Sequence, residues 1–86
     1  LTDQVRRSSR SVCTNIAEGY RKRKYPKHFI SKLTDSDAEN SETFVWLEFT
    51  FALEYINGEM YDKLIDQNEE VGKLINHMID NPDKFL

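Results

Sequence analysis

The side chains with the most chemistry to offer in this sequence are basic. Arg6, Arg7 and Arg10 are followed by the run Arg21, Lys22, Arg23 and Lys24, then Lys27, with Tyr20 and Tyr25 bracketing the run. Guanidinium groups hold phosphate oxygens in pairs, ammonium groups add a looser field, and tyrosine rings can stack on bases. Arg6, Arg10, Tyr20, Arg21, Lys22, Arg23, Lys24 and Lys27 are therefore the candidate nucleic-acid-binding residues, for RNA or DNA. No recognition-helix or zinc-finger spacing accompanies them, so any such contact is expected to be weakly sequence-specific. Charge is divided unevenly. Residues 1–32 hold nine Lys/Arg against two acidic residues, a net +7, and residues 33–86 hold three against thirteen, a net −10. The same split also suits a solvated helix face, or helices associating head to tail or antiparallel.

Catalysis has far less to draw on. His28 and His77 are the only histidines and lie far apart, and no His/Cys/Asp/Glu spacing resembles a metal site. The carboxylates of Asp35, Asp37, Glu39 and Glu42 cluster in sequence but lack the paired Glu-x-x-His motifs of di-iron bundles. There is no glycine-rich phosphate loop and no nucleophile elbow. The reading is a protein without enzyme activity, cofactor or metal. Cys13 is the only cysteine, which excludes an intramolecular disulfide, and it is expected to be a small buried hydrophobe. No apolar run approaches membrane-spanning length and no signal-peptide pattern opens the chain. A cytoplasmic location and no membrane partner are expected. Leu1 is not an initiator methionine, so the chain is either processed or part of a longer protein.

The elements that must position these residues are helical. Thr2 is a plausible N-cap with Asp3 in the first turn, and Val5, Ser9, Val12 and Ile16 then form one stripe, with Cys13 and Ala17 beside it. Gly19 is the natural stop, which predicts a first helix over about 2–18. Pro26 suits the first turn of a second helix, and no breaker follows before Gly58, so that helix is predicted over about 26–57. Its main stripe is Phe29, Leu33, Asn40, Phe44, Leu47, Phe51 and Tyr55. A third helix is predicted over about 59–79, with Asn68 as a polar interruption of its apolar face and Gly72 placed to let helices approach closely. The whole chain, residues 1–86, reads as one helical-bundle domain.

The second helix is more apolar than a three-helix unit needs. Trp46, Phe49 and Leu53 form a second stripe at spacings of three and four. Left open, so much aromatic surface would invite aggregation. Either a further helix or another subunit is expected to cover it.

The segment Ser11-Val12-Cys13-Thr14-Asn15-Ile16-Ala17-Glu18-Gly19, followed by Tyr20-Arg21-Lys22-Arg23, resembles a signature of a bacterial four-helix-bundle family. That family is also known as the ribosomal-RNA intervening-sequence protein, or S23 ribosomal protein, family. The resemblance continues through Lys27-His28-Phe29-Ile30, Leu33, Glu42, Leu47 and Glu48, and ends at Glu70-Val71-Gly72-Lys73-Leu74-Ile75. Two features depart from the pattern: the helix that usually precedes the first one here is lacking, and Ala38-Glu39 stands where the family often has Gly-Ser.

The resemblance implies an all-α fold, an antiparallel up-and-down four-helix bundle of which this chain supplies three helices. It also implies a ring-shaped homopentamer. Genes of the family were first noticed inside insertions in large-subunit ribosomal RNA genes. One branch assists the reverse transcriptase of diversity-generating retroelements and binds nucleic acid through basic surface. Within the signature, Asn15 is expected to hydrogen-bond a neighbouring helix, Glu18 to pair with the basic loop or another subunit, and Gly19 to cap the helix. Ile16, Ala17 and Glu42 complete the signature residues. The function expected is a non-enzymatic oligomeric scaffold or adaptor with copies of itself or another protein as partner. The alternative is a nucleic-acid-binding accessory protein that uses the first helix and the 20–27 loop.

Overall fold

The computed structural model describes residues 1–86. Its order is α1 (Thr2–Arg21), α2 (Pro26–Ala52) and α3 (Gly58–Asp80), followed by a single 3-10 turn at Pro82–Lys84. Consecutive helices are antiparallel and α2 lies between the other two, packing on both, while α1 and α3 make at most glancing contact. The Cα envelope measures 44 × 20 × 13 Å, which is a splayed layer rather than a closed triangle of helices. All-α architecture and three helices agree with the sequence reading.

The helix ends differ from it. α1 runs through Gly19 to Arg21, so Gly19 is no cap. It is buried, and a Cβ there would sit 3.1 Å from the Lys32 Cβ and 3.4 Å from the Phe29 carbonyl oxygen. Its missing side chain serves the approach of α2, not a left-handed turn. Thr2 makes no capping bond either, because Leu1 occupies the N-cap position.

α2 ends at Ala52, five residues before the predicted stop. The Glu54 N–H donates to the Phe51 carbonyl at 2.9 Å and the Tyr55 N–H to the Thr50 carbonyl at 3.0 Å. These two bonds are the Schellman arrangement, which needs a left-handed residue at C′. Glu54 takes that place with φ 63°. Gly58 is not the breaker but the first residue of α3, and Asn57 caps that helix by accepting from the Met60 N–H at 2.8 Å.

The fully buried apolar residues are few: Val12, Phe29, Leu33, Leu47 and Ile75. Hydroxyls and amides fill much of the remaining contact. Ser36 donates to the Val12 carbonyl at 2.8 Å, and Thr43 donates to the Ser8 hydroxyl at 2.8 Å. Between α2 and α3, Asn40 and Asn68 bond to each other, and Gly72 admits the Asn40 amide at a point where a Cβ would lie 3.2 Å from it. Small polar residues let helix backbones approach closely, and the buried Ser8, Ser36, Asn40, Thr43 and Thr50 side chains all find partners. The expected close approach at Gly72 is present.

Candidate assembly and nucleic-acid surfaces

α1 meets α2 through Ser8, Val12 and Gly19, which are buried. That rotation turns much of the predicted core stripe aside. Val5, Ser9, Cys13 and Ile16 line one wall of an open groove instead. Leu64, Val71, Leu74 and Met78 of α3 form the other wall, with Asn40, Thr43 and Leu47 as the floor. Cys13, expected to be buried, is exposed at this lip. The groove runs between α1 and α3, where a fourth helix of an up-and-down bundle fits. Its polar groups are hydroxyls, amides and the Cys13 thiol, and no His, Asp, Glu or Lys lines it.

Trp46, Phe49 and Leu53 occupy a different surface. At about 100° per residue, Phe49 is turned roughly 160° from Leu47 on the groove floor. These three residues do not line the groove, so the groove and the surplus aromatic face, for which a further helix or another subunit is expected from sequence, are two surfaces. Phe49 and Leu53 are more than half exposed, and the Trp46 and Phe49 rings lie 6.1 Å apart. Trp46 is held: its indole N–H donates to Glu42 Oε1 at 3.1 Å, and Arg7 Nη2 donates to the same oxygen at 2.6 Å. The Trp46 hydrogen bond, with the Arg7 charge and hydrogen bond adding to it, lowers the Glu42 carboxyl below its ordinary range against a partial desolvation.

Arg6, Arg10 and Arg21 fall within about 60° of one another around α1. All three are exposed, and they line the outer side of the helix. Arg6 and Arg10 are about 6 Å apart along the axis and Arg21 is about 16 Å further on. The ridge continues into the exposed Lys22 and Lys24 of the turn between α1 and α2 and Lys27 in the first turn of α2. Arg10 Nε donates to the Arg6 carbonyl at 3.3 Å. Arg23 is spent differently. It lies 3.7 Å over the Tyr20 ring and donates to the Tyr20 carbonyl at 2.9 Å, so one ring face is already covered. Tyr25 is 62% exposed, and its ring meets His28 edge-on.

The signature residues take structural places. Asn15 Nδ2 donates at 2.9 Å to the Ser11 carbonyl of its own helix, not to a neighbouring helix. Glu18 pairs at 2.9 Å with Lys32 on α2 instead of with the basic loop. The Lys32 hydrogen bond and charge lower the Glu18 carboxyl, and Glu18 raises the Lys32 ammonium in return. Ile16 is half-buried at the groove and Ala17 is exposed. No group of three or more His, Cys, Asp or Glu side chains is placed to hold a metal ion, and no helix is long and apolar enough to cross a membrane. The residues missed from sequence are Ser8, Ser36 and Thr43. Their signal is small residues sharing a face, Ser8 with Gly19 on α1 and Ser36 with Thr43 on α2, which apolar periodicity does not weigh. A family model, described as 23S rRNA-intervening sequence protein, matches residues 1–77. No curated protein and no solved structure matches the chain.

Proposed function

The chain belongs to the 23S rRNA-intervening sequence protein family, and on that premise we propose that it is a non-catalytic, cytoplasmic helical-bundle scaffold that works by assembling with further copies of itself. The observation that carries this reading is the apolar surface the three helices leave uncovered, the α1–α3 groove together with Phe49 and Leu53 behind α2. Contiguous apolar surface of this kind marks interaction sites. The groove chemistry supports binding over catalysis, since its amides and hydroxyls offer hydrogen bonds and no carboxylate or imidazole stands beside the Cys13 thiol on its wall. Five copies is the number the family resemblance implies. Light scattering tests the reading: the protein is expected to run as a defined multiple of its 10.2 kDa chain mass. A strictly monomeric protein at micromolar concentration refutes it.

A second reading is favoured by one observation, the alignment of Arg6, Arg10 and Arg21 on one side of α1, continued by Lys22 and Lys24 in the turn and Lys27 at the start of α2. It makes the chain a nucleic-acid-binding accessory protein that follows a phosphate backbone with little sequence preference. Binding to a mixed RNA pool should fall steeply as salt rises and vanish when residues 21–24 are neutralised. Binding that survives this neutralisation removes the second reading.

A further inference from the structure

The molecule is long, and its charge is sorted by end. α1 and α3 run one way and α2 the other, so the turn between α1 and α2 shares one end with the tail after α3. The turn between α2 and α3 shares the other end with the start of α1. The seams agree: Gly19 lies against Phe29 and Lys32 toward the first end, and Tyr61 donates to Glu48 toward the second. At the first end, residues 20–28 and 80–86 hold Arg21, Lys22, Arg23, Lys24, Lys27 and Lys84 against Asp80 and Asp83. At the second, residues 1–3 and 50–60 hold Asp3, Glu54 and Glu59 and no Lys or Arg, and Asp62 and Lys63 just behind them cancel. The long axis is 44 Å, while salt screens charges beyond about 8–10 Å, so the two ends of one chain do not neutralise each other.

Helix dipoles explain only part of this sorting. Arg21 in the last turn of α1 and Glu59 in the first turn of α3 have the favoured signs. α2 has the reverse. Lys24 and Lys27 flank its start and Glu54 follows its end, with no acid in its first turn and no base in its last. Charges set against the dipole of the helix beside them cost stability, and a local rule broken in this way points to a use outside the fold. Both ends also expose rings. Tyr25 stands open among the lysines. At the acidic end Leu53, Tyr55 and Met60 are 59%, 68% and 46% exposed, near Phe51, whose ring stacks on Tyr61 at 4.3 Å.

We propose that the acidic end of one copy docks on the basic end of a second, with Glu54 and Glu59 facing Lys22, Lys24 and Lys27, and the Leu53–Tyr55 surface against Tyr25. The inference rests on the self-assembly reading above and names its surface. Lysine suits this partner twice over, since its ammonium pairs with carboxylates and also sits well over a tyrosine ring. The end face is at most 20 × 13 Å across the Cα atoms, so the contact belongs to the small, salt-sensitive class. Charge then selects the partner and its orientation. The contact is heterologous: each copy keeps one end of each sign free, so repetition builds a ring or a filament. The α1–α3 groove stays open.

A charge exchange on the full chain tests it by light scattering at low salt. Lys22→Glu/Lys24→Glu and Glu54→Lys/Glu59→Lys change exposed residues, so both are expected to keep wild-type helical circular dichroism. Each alone should self-associate at least about tenfold more weakly. An equal mixture should regain the association, because each reversed end then meets its opposite. Tyr55→Ser should weaken association with no change of charge, and Leu74→Ser, on the groove wall, should leave it unchanged. The acidic-end variant keeps every candidate nucleic-acid residue, so its loss of mass cannot arise from lost RNA contacts. Variants that keep the wild-type mass, a mixture that stays dissociated, or a loss confined to Leu74→Ser overturn the end-to-end contact while leaving self-assembly standing. A monomeric wild-type protein overturns both.

Discussion

Asn40 and Asn68 each donate to the other's backbone carbonyl oxygen, at 3.0 and 2.9 Å, and so fasten α2 to α3 by a reciprocal pair of amides. Asn68 Nδ2 also reaches Asn40 Oδ1 at 3.1 Å. The pair sits one layer from Gly72, where the absence of a side chain lets the Asn40 amide in. Replacing either asparagine with alanine leaves the partner's groups unpaired in a partly buried place, at a cost of about 1–3 kcal/mol. Replacing both with leucine should cost less than the sum of the single changes. Urea unfolding of the single and double variants measures this coupling, and strict additivity would show that the amides do not act together.

Gly19 predicts a second stability change. An alanine there gains up to about 1 kcal/mol of helix propensity. It also drives a methyl toward the Phe29 carbonyl oxygen and the Lys32 Cβ, and a helix backbone yields little. Overpacking of this kind costs about 1–3 kcal/mol, so Gly19→Ala is expected to destabilise. Gly58 is the control. The nearest atom to a Cβ there is 4.0 Å away, and Gly58→Ala should be neutral or stabilising by thermal melting.

The turn after α2 offers a gain. Glu54 holds a left-handed conformation that disfavours a residue with a Cβ by about 1–2 kcal/mol, and glycine adopts it freely. Glu54→Gly should raise stability by about 1 kcal/mol, since added chain entropy in the unfolded state offsets part of the relief. A loss of stability would mean that the Glu54 side chain contributes contacts that outweigh its backbone.

Acid should weaken the fold through two carboxylates. The Lys32 hydrogen bond lowers Glu18, and the Trp46 hydrogen bond, with Arg7, lowers Glu42, both from an ordinary value of 4.5. The folded state therefore binds fewer protons than the unfolded one just below that value. The stability these groups add is present above pH 4.5 and is lost as pH falls through their folded values. On the alkaline side the signs reverse. Lys32 is raised by Glu18, and Tyr61 is raised chiefly by its hydrogen bond to Glu48, from 10.5 and 10.0. Their contributions are complete below those values and are lost as pH rises through the folded ones. All four groups are solvent-accessible, so each effect is small and fades with salt. Glu42→Gln should flatten the acid limb of urea midpoint against pH and leave the alkaline limb unchanged.

Cys13 reports on the groove. It is exposed on the wall beside Val12 and Ile16. A thiol reagent should therefore label it in the folded protein without prior unfolding. If copies meet end to end, the labelling rate should not depend on protein concentration. Protection that grows with concentration would move the contact between copies into the groove.

Apolar periodicity was enough to determine that the chain is all-helical with three helices, because each stripe repeats at the helical period whatever it packs against. Composition was enough to determine the uneven charge, and the signature around Asn15–Gly19 led to the family. Helix ends and rotations were decided by tertiary contact. Gly19 could equally have capped a helix or admitted a neighbour, and only the backbone of α2 lying against it settles which. Glu54 gave no sign of a left-handed turn, since the two Schellman bonds impose that conformation against its preference. The rotation of α1 had the largest consequence. Ser8, Val12 and Gly19 let two backbones come close, which the stripe Val5, Ser9, Val12 and Ile16 could not match as a whole, so most of that stripe faces an open groove. Which face is buried depends on closeness of fit between two surfaces, and one surface read alone carries only half of that information.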